Sequence, residues 1–220
     1  MPTSSYLRSG RIGITMRMVD AEGYNEPRDA LAQDWGAFMG QVLPEALWMP
    51  VPNMGKDIIR YFSDWNLDGL ILSGGNDLGS EVLRDLTEEA LLQHALSRSL
   101  PVLGVCRGLQ LLVKFYGGQL HSCDQSLHVA QRHLVIGEDD YPIAEQRRAT
   151  FEVNSFHQFG LNKPAIPEPL CCWAYSEDGG VEALGIPETK VAATMWHPER
   201  ERPVSRLDRT LVRWVFGWNS

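Results

Sequence analysis

The segment Pro101–Gly118, PVLGVCRGLQLLVKFYGG, constrains the fold of this chain more than any other stretch. A short apolar run leads into Cys106, which stands between Gly104 and Gly108, and an apolar series at helical spacing follows. A strand, a tight glycine-flanked turn and a helix form a nucleophile elbow, which holds its central side chain clear of the sheet. The N-terminus of the helix favours a thiolate there. Cys106 is therefore the predicted nucleophile, with an inert core cysteine as the plainer alternative.

The composition is that of a globular protein, with 44% hydrophobic and 22% charged residues, and we expect one domain over residues 1–220. No apolar run is long enough to span a membrane. The opening MPTSSYLRSG lacks the apolar core of a signal peptide, so we expect a cytoplasmic protein. A net charge of −8 without a basic run argues against nucleic acid or an anionic membrane as the main partner.

The other cysteines carry no recognisable disulfide or metal pattern. Cys123, Cys171 and Cys172 contain no C-x-x-C pair, and the adjacent Cys171 and Cys172 would form a strained bridge. We interpret all three as buried or partly buried thiols. The sequence thus predicts no metal site and no cofactor.

Hydrophobic periodicity predicts alternating strands and helices in the first half of the chain. Besides the elbow, strands are expected at Arg11–Val19, Ala46–Val51 and Asp68–Leu72, and helices at Glu26–Val42, Asp57–Trp65 and Thr87–Ser97. Asn25 is the candidate N-cap of the first helix, and Pro27 lies near its first position. This order predicts a doubly wound α/β sheet that binds ligands at the carboxyl ends of its strands.

The second half is predicted to be rich in short strands, forming a mixed or antiparallel extension of the sheet. The expected strands are Arg132–Ile136, Ala149–Asn154, Leu170–Ser176, Val181–Ile186 and Val191–Met195. A final helix is expected at Val204–Trp218, where Trp214 and Trp218 could cover either a core or an interface. A homodimer is therefore left open.

The stretch VAATMWHPE, residues 191–199, offers the base that a cysteine nucleophile needs. His197 ends a predicted strand, and Glu199 follows two residues later. An imidazole within reach of the sulfur, oriented by a carboxylate, is the arrangement of a catalytic triad. Each residue alone is more typical of a solvated turn, so the prediction depends on the fold bringing both to Cys106.

Two backbone amides are expected to stabilise the oxyanion that forms when an amide carbonyl is attacked. In an elbow, one donor is the residue after the nucleophile, here Arg107. The other is expected from a turn at a neighbouring strand end, and Gly75 in Ser73-Gly74-Gly75 is the candidate. An ordinary strand-to-helix glycine turn is the alternative.

The motifs GVCRGLQ, WHPE and LSGGND resemble the class I glutamine amidotransferase-like superfamily over nearly the whole chain, and VNSFHQ (residues 153–158) narrows this to its γ-glutamyl hydrolase, peptidase C26-type branch. The resemblance implies a flavodoxin-like fold, with a central, mostly parallel sheet between helices. It also implies a Cys–His–Glu triad, here Cys106, His197 and Glu199, which cleaves a γ-glutamyl amide through a thioester.

By the same resemblance, four further residues would contact the glutamyl group of a small-molecule substrate. They are Gln110, Asn154, Ser155 and His157. The branch commonly has two adjacent histidines in this loop, whereas here His157 is followed by Gln158.

A narrower resemblance, to the γ-glutamyl-CDP-amidate hydrolases, rests on ITMRM, EPRDALAQDWG, LSGGNDL and QRHLV. It implies hydrolysis of a CDP-linked glutamine. Arg17 would lie at the end of the first strand and Arg28 would open the following helix, while Arg132 and His133 would lie in a loop near the site. Guanidinium groups suit a diphosphate. Ordinary surface arginines are the alternative.

Two other functions remain open on sequence alone. The same triad would serve a glutaminase that delivers ammonia to a separate synthetase. A non-catalytic, redox-sensing or chaperone-like protein of the same fold could also retain an elbow cysteine, without needing the downstream His-Pro-Glu.

Overall fold

The computed structural model describes residues 10–218, and its centre is a nine-stranded mixed sheet. The strands are β1 (Arg11–Thr15), β2 (Arg17–Asp20), β3 (Pro27–Ala30), β4 (Leu47–Val51), β5 (Gly69–Leu72), β6 (Val102–Val105), β7 (His121–Ser122), β8 (Val129–Gly137), β9 (Thr150–Phe156), β10 (Phe159–Gly160), β11 (Cys171–Ser176), β12 (Val181–Ile186) and β13 (Val191–Thr194). The helices are α1 (Asp34–Val42), α2 (Ile58–Asp64), α3 (Val82–Ser97), α4 (Arg107–Phe115), α5 (Gln125–His128) and α6 (Arg206–Phe216).

The strands of the central sheet follow the order β4-β1-β5-β6-β13-β12-β11-β8-β9. The pairs from β4 to β13 are parallel, and those from β13 to β9 are antiparallel. Two small antiparallel ribbons, β2 with β3 and β7 with β10, lie outside it. The carboxyl ends of β1, β5, β6 and β13 therefore meet at one edge of the sheet.

The central strands pack helices on both faces. Leu70 and Leu72 of β5 join a core with α2, α3 and α4, whereas Ile71 joins the opposite core with α1 and α6. Trp214 and Trp218 pack partly buried against this second core. The predicted doubly wound sheet and antiparallel extension are confirmed. None of the described helices has both the length and the apolarity needed to cross a bilayer.

The prediction was wrong between residues 16 and 33. The strand expected over Arg11–Val19 is interrupted at Met16, and the first part of the helix expected over Glu26–Val42 is strand β3. Asn25 is therefore not a helix cap, and Arg28 lies on a strand instead of opening a helix. Tertiary contacts override local propensity here: β3 pairs with β2, and the Asp29 carboxylate accepts hydrogen bonds from the amide and the side chain of Asn53.

The later elements match the prediction more closely. Each of the five strands expected in the second half overlaps an observed strand, and the final helix is α6. The short β7, α5 and β10 have too few residues for a periodic pattern and were not predicted. Cys123, Cys171 and Cys172 are partly buried free thiols, as expected.

Candidate active site

Cys106 occupies a strained turn between β6 and α4. Its φ of 51° and ψ of −97° lie in a region that side-chain-bearing residues rarely adopt. A Cβ on Gly108 would lie 2.4 Å from the carbonyl oxygen of Leu72, and one on Gly104 would lie 2.8 Å from the carbonyl carbon of Gly108. The flanking glycines are therefore required by close backbone packing, as in the nucleophile elbow that the spacing predicts.

His197 and Glu199 follow β13, the parallel neighbour of β6. Nδ1 of His197 lies 2.7 Å from Oε1 of Glu199, and both side chains are buried. The Cys106 side chain lies close enough to the same imidazole to affect its pKa. Burial opposes protonation of His197, but its contacts with Cys106 and Glu199 outweigh burial and raise its pKa to about 9.

The glycine turn after β5 is held by a fully buried arginine. Arg84 of α3 donates to the carbonyl oxygens of Ser73 (2.8 Å), Gly74 (3.2 Å) and Gly75. In a trans peptide the N–H points opposite to the C=O, so the Gly75 amide points away from Arg84. On the other side of this turn lies His197, whose Cε1 would be 2.6 Å from a Cβ on Gly74.

One buried carboxylate connects this turn to the elbow. Glu88 accepts from Thr15 Oγ1 at 2.8 Å and from Arg84 Nε at 2.9 Å, and it lies 2.9 Å from Nη1 of Arg107. Asp85 pairs with Nη2 of Arg107. The Arg107 amide begins α4 and has no intrahelical acceptor. The network therefore fixes both residues whose amides are the candidate oxyanion donors.

Gln110, Asn154 and Ser155 make contacts within the protein. Gln110 Nε2 donates to the carbonyl of Phe159 at 3.0 Å. Asn154 bonds the backbone of His197 twice, accepting from its N–H at 2.9 Å and donating to its carbonyl at 2.8 Å. Ser155 donates to the carbonyl of His128. Their predicted contacts with the glutamyl group remain predictions.

His157 faces Glu182 of β12 instead of the elbow. Its Nε2 lies 3.3 Å from Oε1 of Glu182, and its Nδ1 lies 3.3 Å from the carbonyl of Phe159. His133 faces the same carboxylate. Gln110 contacts the same Phe159. Any contact of His157 with substrate would therefore have to come from the far side of Phe159.

The three arginine candidates differ in their partners. Arg132 is held by Glu152 and Glu201, at 2.7 and 2.9 Å. Arg28 pairs with Glu26.

Arg17 lies against the glycine turn, with its Cδ 3.2 Å from where a Cβ on Gly75 would be. Among residues 10–218 it forms no ion pair. Arg17 therefore lies beside the candidate oxyanion turn.

Sequence reasoning did not identify Arg84, Glu88, Phe156 or Arg200. Arg84 and Glu88 lie one turn apart on α3, a spacing that could have suggested an ion pair after the glycine turn. Phe156 packs its ring edge-on against His197 at 5.7 Å between centroids, and the guanidinium of Arg200 covers Phe156 at 4.4 Å. Both are partly exposed beside the triad.

A cysteine on a strained turn at the carboxyl edge of a parallel sheet, next to a strand that ends in histidine, defines the class I glutamine amidotransferase architecture. A glutamine amidotransferase from Thermotoga maritima has this fold, with a TM-score of 0.64 at 14% identity over 94% of this chain and 96% of that one. One from Methylobacillus flagellatus gives 0.61 at 15% identity, over 96% and 92%. The chain belongs to the Peptidase C26 family, whose model matches residues 12–199.

Two curated relatives indicate the chemistry of this family. The chain is 29% identical over 209 residues to gamma-glutamyl-CDP-amidate hydrolase of Campylobacter jejuni, covering 92% of this chain and 96% of that protein. It is 29% identical over 180 residues to gamma-glutamyl-gamma-aminobutyrate hydrolase of Escherichia coli K12, covering 66% and 69%. The resemblance drawn from the motifs is confirmed, and relatives that are hydrolases or amidotransferases support an enzymatic function.

Proposed function

We propose that this protein is a cysteine hydrolase that cleaves the γ-glutamyl amide of a small molecule and releases glutamate. One observation carries the proposal: three segments distant in sequence converge at one sheet edge. They are the elbow at Cys106, the His197–Glu199 pair, and the Gly75 turn held by Arg84.

In the proposed mechanism, the Cys106 thiolate attacks the γ-carbonyl carbon and the amides of Gly75 and Arg107 bind the resulting oxyanion. The tetrahedral intermediate collapses, the C–N bond breaks, and protonated His197 gives its proton to the departing nitrogen. Neutral His197 then takes a proton from water, and the hydroxide attacks the thioester. Glutamate leaves, and the thiolate and imidazolium are restored. Glu199 keeps the imidazole oriented throughout.

The leaving group in this proposal is the CDP-linked half of the substrate, CDP-amidate, which departs through its nitrogen. The similarity to the Campylobacter jejuni hydrolase spans 92% of this chain. The β2–β3 ribbon adds a second line of support, because Asn76 of the glycine turn bonds both the amide and the carbonyl of Met18 on β2. This bond brings Arg17 beside the candidate oxyanion turn, where a guanidinium could bind a diphosphate.

A glutamate-release assay on three substrates tests both levels of the proposal. CDP-linked glutamine, γ-glutamyl-GABA and glutamine are compared by kcat/KM, and we expect CDP-linked glutamine to be best. If γ-glutamyl-GABA is hydrolysed equally well or better, the CDP assignment fails and the γ-glutamyl hydrolase assignment survives. Hydrolysis of glutamine that appears only with a synthetase present would instead support an amidotransferase subunit.

The role of Cys106 is tested by Cys106→Ala, which we expect to abolish turnover and the trapped glutamyl-thioester while preserving the fold. Cys172→Ala is the matched control, since this thiol is partly buried on β11, a strand of the antiparallel extension. Near-normal turnover by Cys106→Ala would exclude the mechanism. A Cys106 that oxidises readily but never forms a thioester would support the redox-sensing alternative.

A further inference from the structure

Three histidines surround one buried glutamate at a place the proposed reaction does not use. Glu182 of β12 is fully buried, His128 and His157 are buried, and His133 of β8 is mostly buried. Among the described residues, neither oxygen of Glu182 has a hydrogen-bond partner, and neither do the facing nitrogens Nδ1 of His128, Nε2 of His133 and Nε2 of His157. Buried polar atoms normally have partners, so this arrangement requires an explanation.

The spacing of these atoms is that of metal ligands. Oε1 of Glu182 lies 3.3 Å from Nε2 of both His133 and His157, and 3.8 Å from Nδ1 of His128. His128, His157 and Glu182 each bring one ligand atom to within 4.8 Å of the others. Ligands bound tetrahedrally at 2.0–2.1 Å are separated by about 3.4 Å, whereas a charge-assisted hydrogen bond spans about 2.8 Å.

The other ring nitrogens of His128 and His157 are already directed at acceptors. Nε2 of His128 lies 2.8 Å from the Asp178 carboxylate, and Nδ1 of His157 is directed at the Phe159 carbonyl. Such acceptors are the usual outer partners of metal-binding histidines.

Protons alone do not give the facing nitrogens and carboxylate oxygens of this cluster suitable partners. If all three histidines were charged, three buried cations would face one carboxylate. If only one were charged, two nitrogen lone pairs would point at an anion. One divalent cation would satisfy the carboxylate and the neutral imidazoles together.

We propose that His128, His157 and Glu182, with His133 beside the carboxylate, form a binding site for a divalent transition-metal ion, of which Zn²⁺ fits the nitrogen-rich donor set best. A cavity of about 160 Å³ adjoins the cluster and provides a route from solvent; its walls include His121, Cys123 and Asp124 as well as His128 and His157. No C-x-x-C pair or short His-x-x-x-His spacing marks this site, so the sequence does not reveal it.

The proposed metal site would fix the position of Phe159, whose carbonyl accepts a hydrogen bond from Gln110. His157 and Gln110 both contact the carbonyl of Phe159, at 3.3 and 3.0 Å. A metal bound to His157 on one side and Glu182 on the other would fix this carbonyl, and with it the orientation of Gln110 beside the elbow. The proposed role of the metal is therefore structural, because it would act on the active site only through Phe159 and Gln110.

Metal binding is tested on the full chain carrying Cys106→Ala, so that the elbow thiol cannot bind zinc. After removal of metal with a chelator, the protein is titrated with Zn²⁺ and with Co²⁺. We expect one equivalent of Zn²⁺ by elemental analysis and intense visible Co²⁺ absorption typical of four-coordinate nitrogen and oxygen ligation. Saturating Zn²⁺ should raise the midpoint of thermal unfolding by about 5–10 °C.

Two variants identify the ligands. Glu182→Gln keeps the shape and removes the charge, and we expect at least a hundredfold loss of Zn²⁺ affinity. Should this variant fail to fold, His157→Gln provides the same comparison with an expected loss of at least tenfold. The matched control is His94→Gln on α3, outside the cluster, which should bind Zn²⁺ like the parent protein.

The proposal is overturned if the parent binds less than about a tenth of an equivalent with no thermal shift. It is equally overturned if binding is unchanged in Glu182→Gln and His157→Gln, since the ion would then lie elsewhere. Neither result would affect the proposed hydrolase function, which is measured separately by glutamate release.

Discussion

The sheet edge at Cys106 and the β2–β3 ribbon beside it are built in opposite ways. At the sheet edge, Cys106, His197, Glu199 and Arg84 are at least 93% buried, and hydrogen bonds inside the protein hold Arg84 and His197. The ribbon consists of four-residue strands that are largely exposed, and it is attached mainly by hydrogen bonds through Asn53 and Asn76.

This difference separates chemistry from selectivity. The proposed acyl transfer needs atoms fixed to within fractions of an ångström, which burial and internal hydrogen bonds supply. The choice of leaving group needs exposed side chains that vary at little cost to the fold. Substitutions at the sheet edge should therefore affect stability and kcat, and substitutions in the ribbon should affect the choice of substrate.

The largest difference is expected between glycines of the two regions. In Gly108→Ala the new Cβ would lie 2.4 Å from the backbone oxygen of Leu72, so the strand and helix must separate. We expect a loss of at least about 3 kcal/mol in the free energy of unfolding. In Gly23→Ala, in the ribbon turn, the φ of +84° is strained but the space is open, so the loss should be about 1 kcal/mol.

Urea denaturation measures both effects. Gly36→Ala in α1 is the control, because its Cβ would meet nothing within 4 Å and alanine favours a helix. This variant should be unchanged or more stable by about 0.5–1 kcal/mol. Equal midpoints for Gly108→Ala and Gly36→Ala would contradict the close packing of the elbow.

Arg84→Lys tests whether the glycine turn is held for catalysis. Lysine keeps the charge but cannot bond the carbonyls of Ser73, Gly74 and Gly75 together, so the Gly75 amide should lose its fixed direction. We expect kcat for glutamate release to fall by about 10²-fold, the effect of losing an oxyanion donor, with a smaller change in KM.

Arg60→Lys, at an exposed ion pair on α2, is the matched control and should retain parental kinetics. The melting temperature of Arg84→Lys is measured alongside its rate. A lower melting temperature with kcat within about threefold of the parent would make Arg84 a purely structural residue.

The dependence of stability on pH should reveal the contact between Cys106 and His197. Because contacts with Cys106 and Glu199 raise the pKa of His197 to about 9 from an unfolded value near 6.5, the folded state holds this proton more tightly. Its contribution is complete below about pH 6.5 and is lost as the pH rises through 9. We expect the free energy of unfolding to decrease by about 1–3 kcal/mol over this range.

In Cys106→Ala the first of the two contacts is gone, so the decrease should be smaller. Urea denaturation at pH 6, 7.5 and 9 on both proteins measures the difference. Identical slopes would mean that the sulfur does not affect the titration of His197.

The sequence was informative where backbone geometry dictates residue type. The glycines around Cys106 are required by backbone contacts, and the buried strand Gly69–Leu72 reads as a continuous apolar run, so both could be predicted. The ribbon could not be predicted, because the strand Pro27–Ala30 is stabilised by partners such as Asn53 and not by its own pattern of polar and apolar residues. The Glu182 cluster likewise gathers residues from α5, β8, β12 and the end of β9, which no local spacing reveals.

Arg17→Ala gives the smallest effect and tests the ribbon directly. If the Arg17 guanidinium binds the diphosphate of CDP-linked glutamine, its loss should raise KM for that substrate about tenfold, the equivalent of about 1.4 kcal/mol. Hydrolysis of γ-glutamyl-GABA, which lacks a diphosphate, should change less than about twofold. Arg28→Ala should have a weaker effect, because Glu26 already pairs with Arg28. Equal losses on both substrates would assign Arg17 to the support of the Gly75 turn, and the ribbon would then belong with the sheet edge instead of contrasting with it.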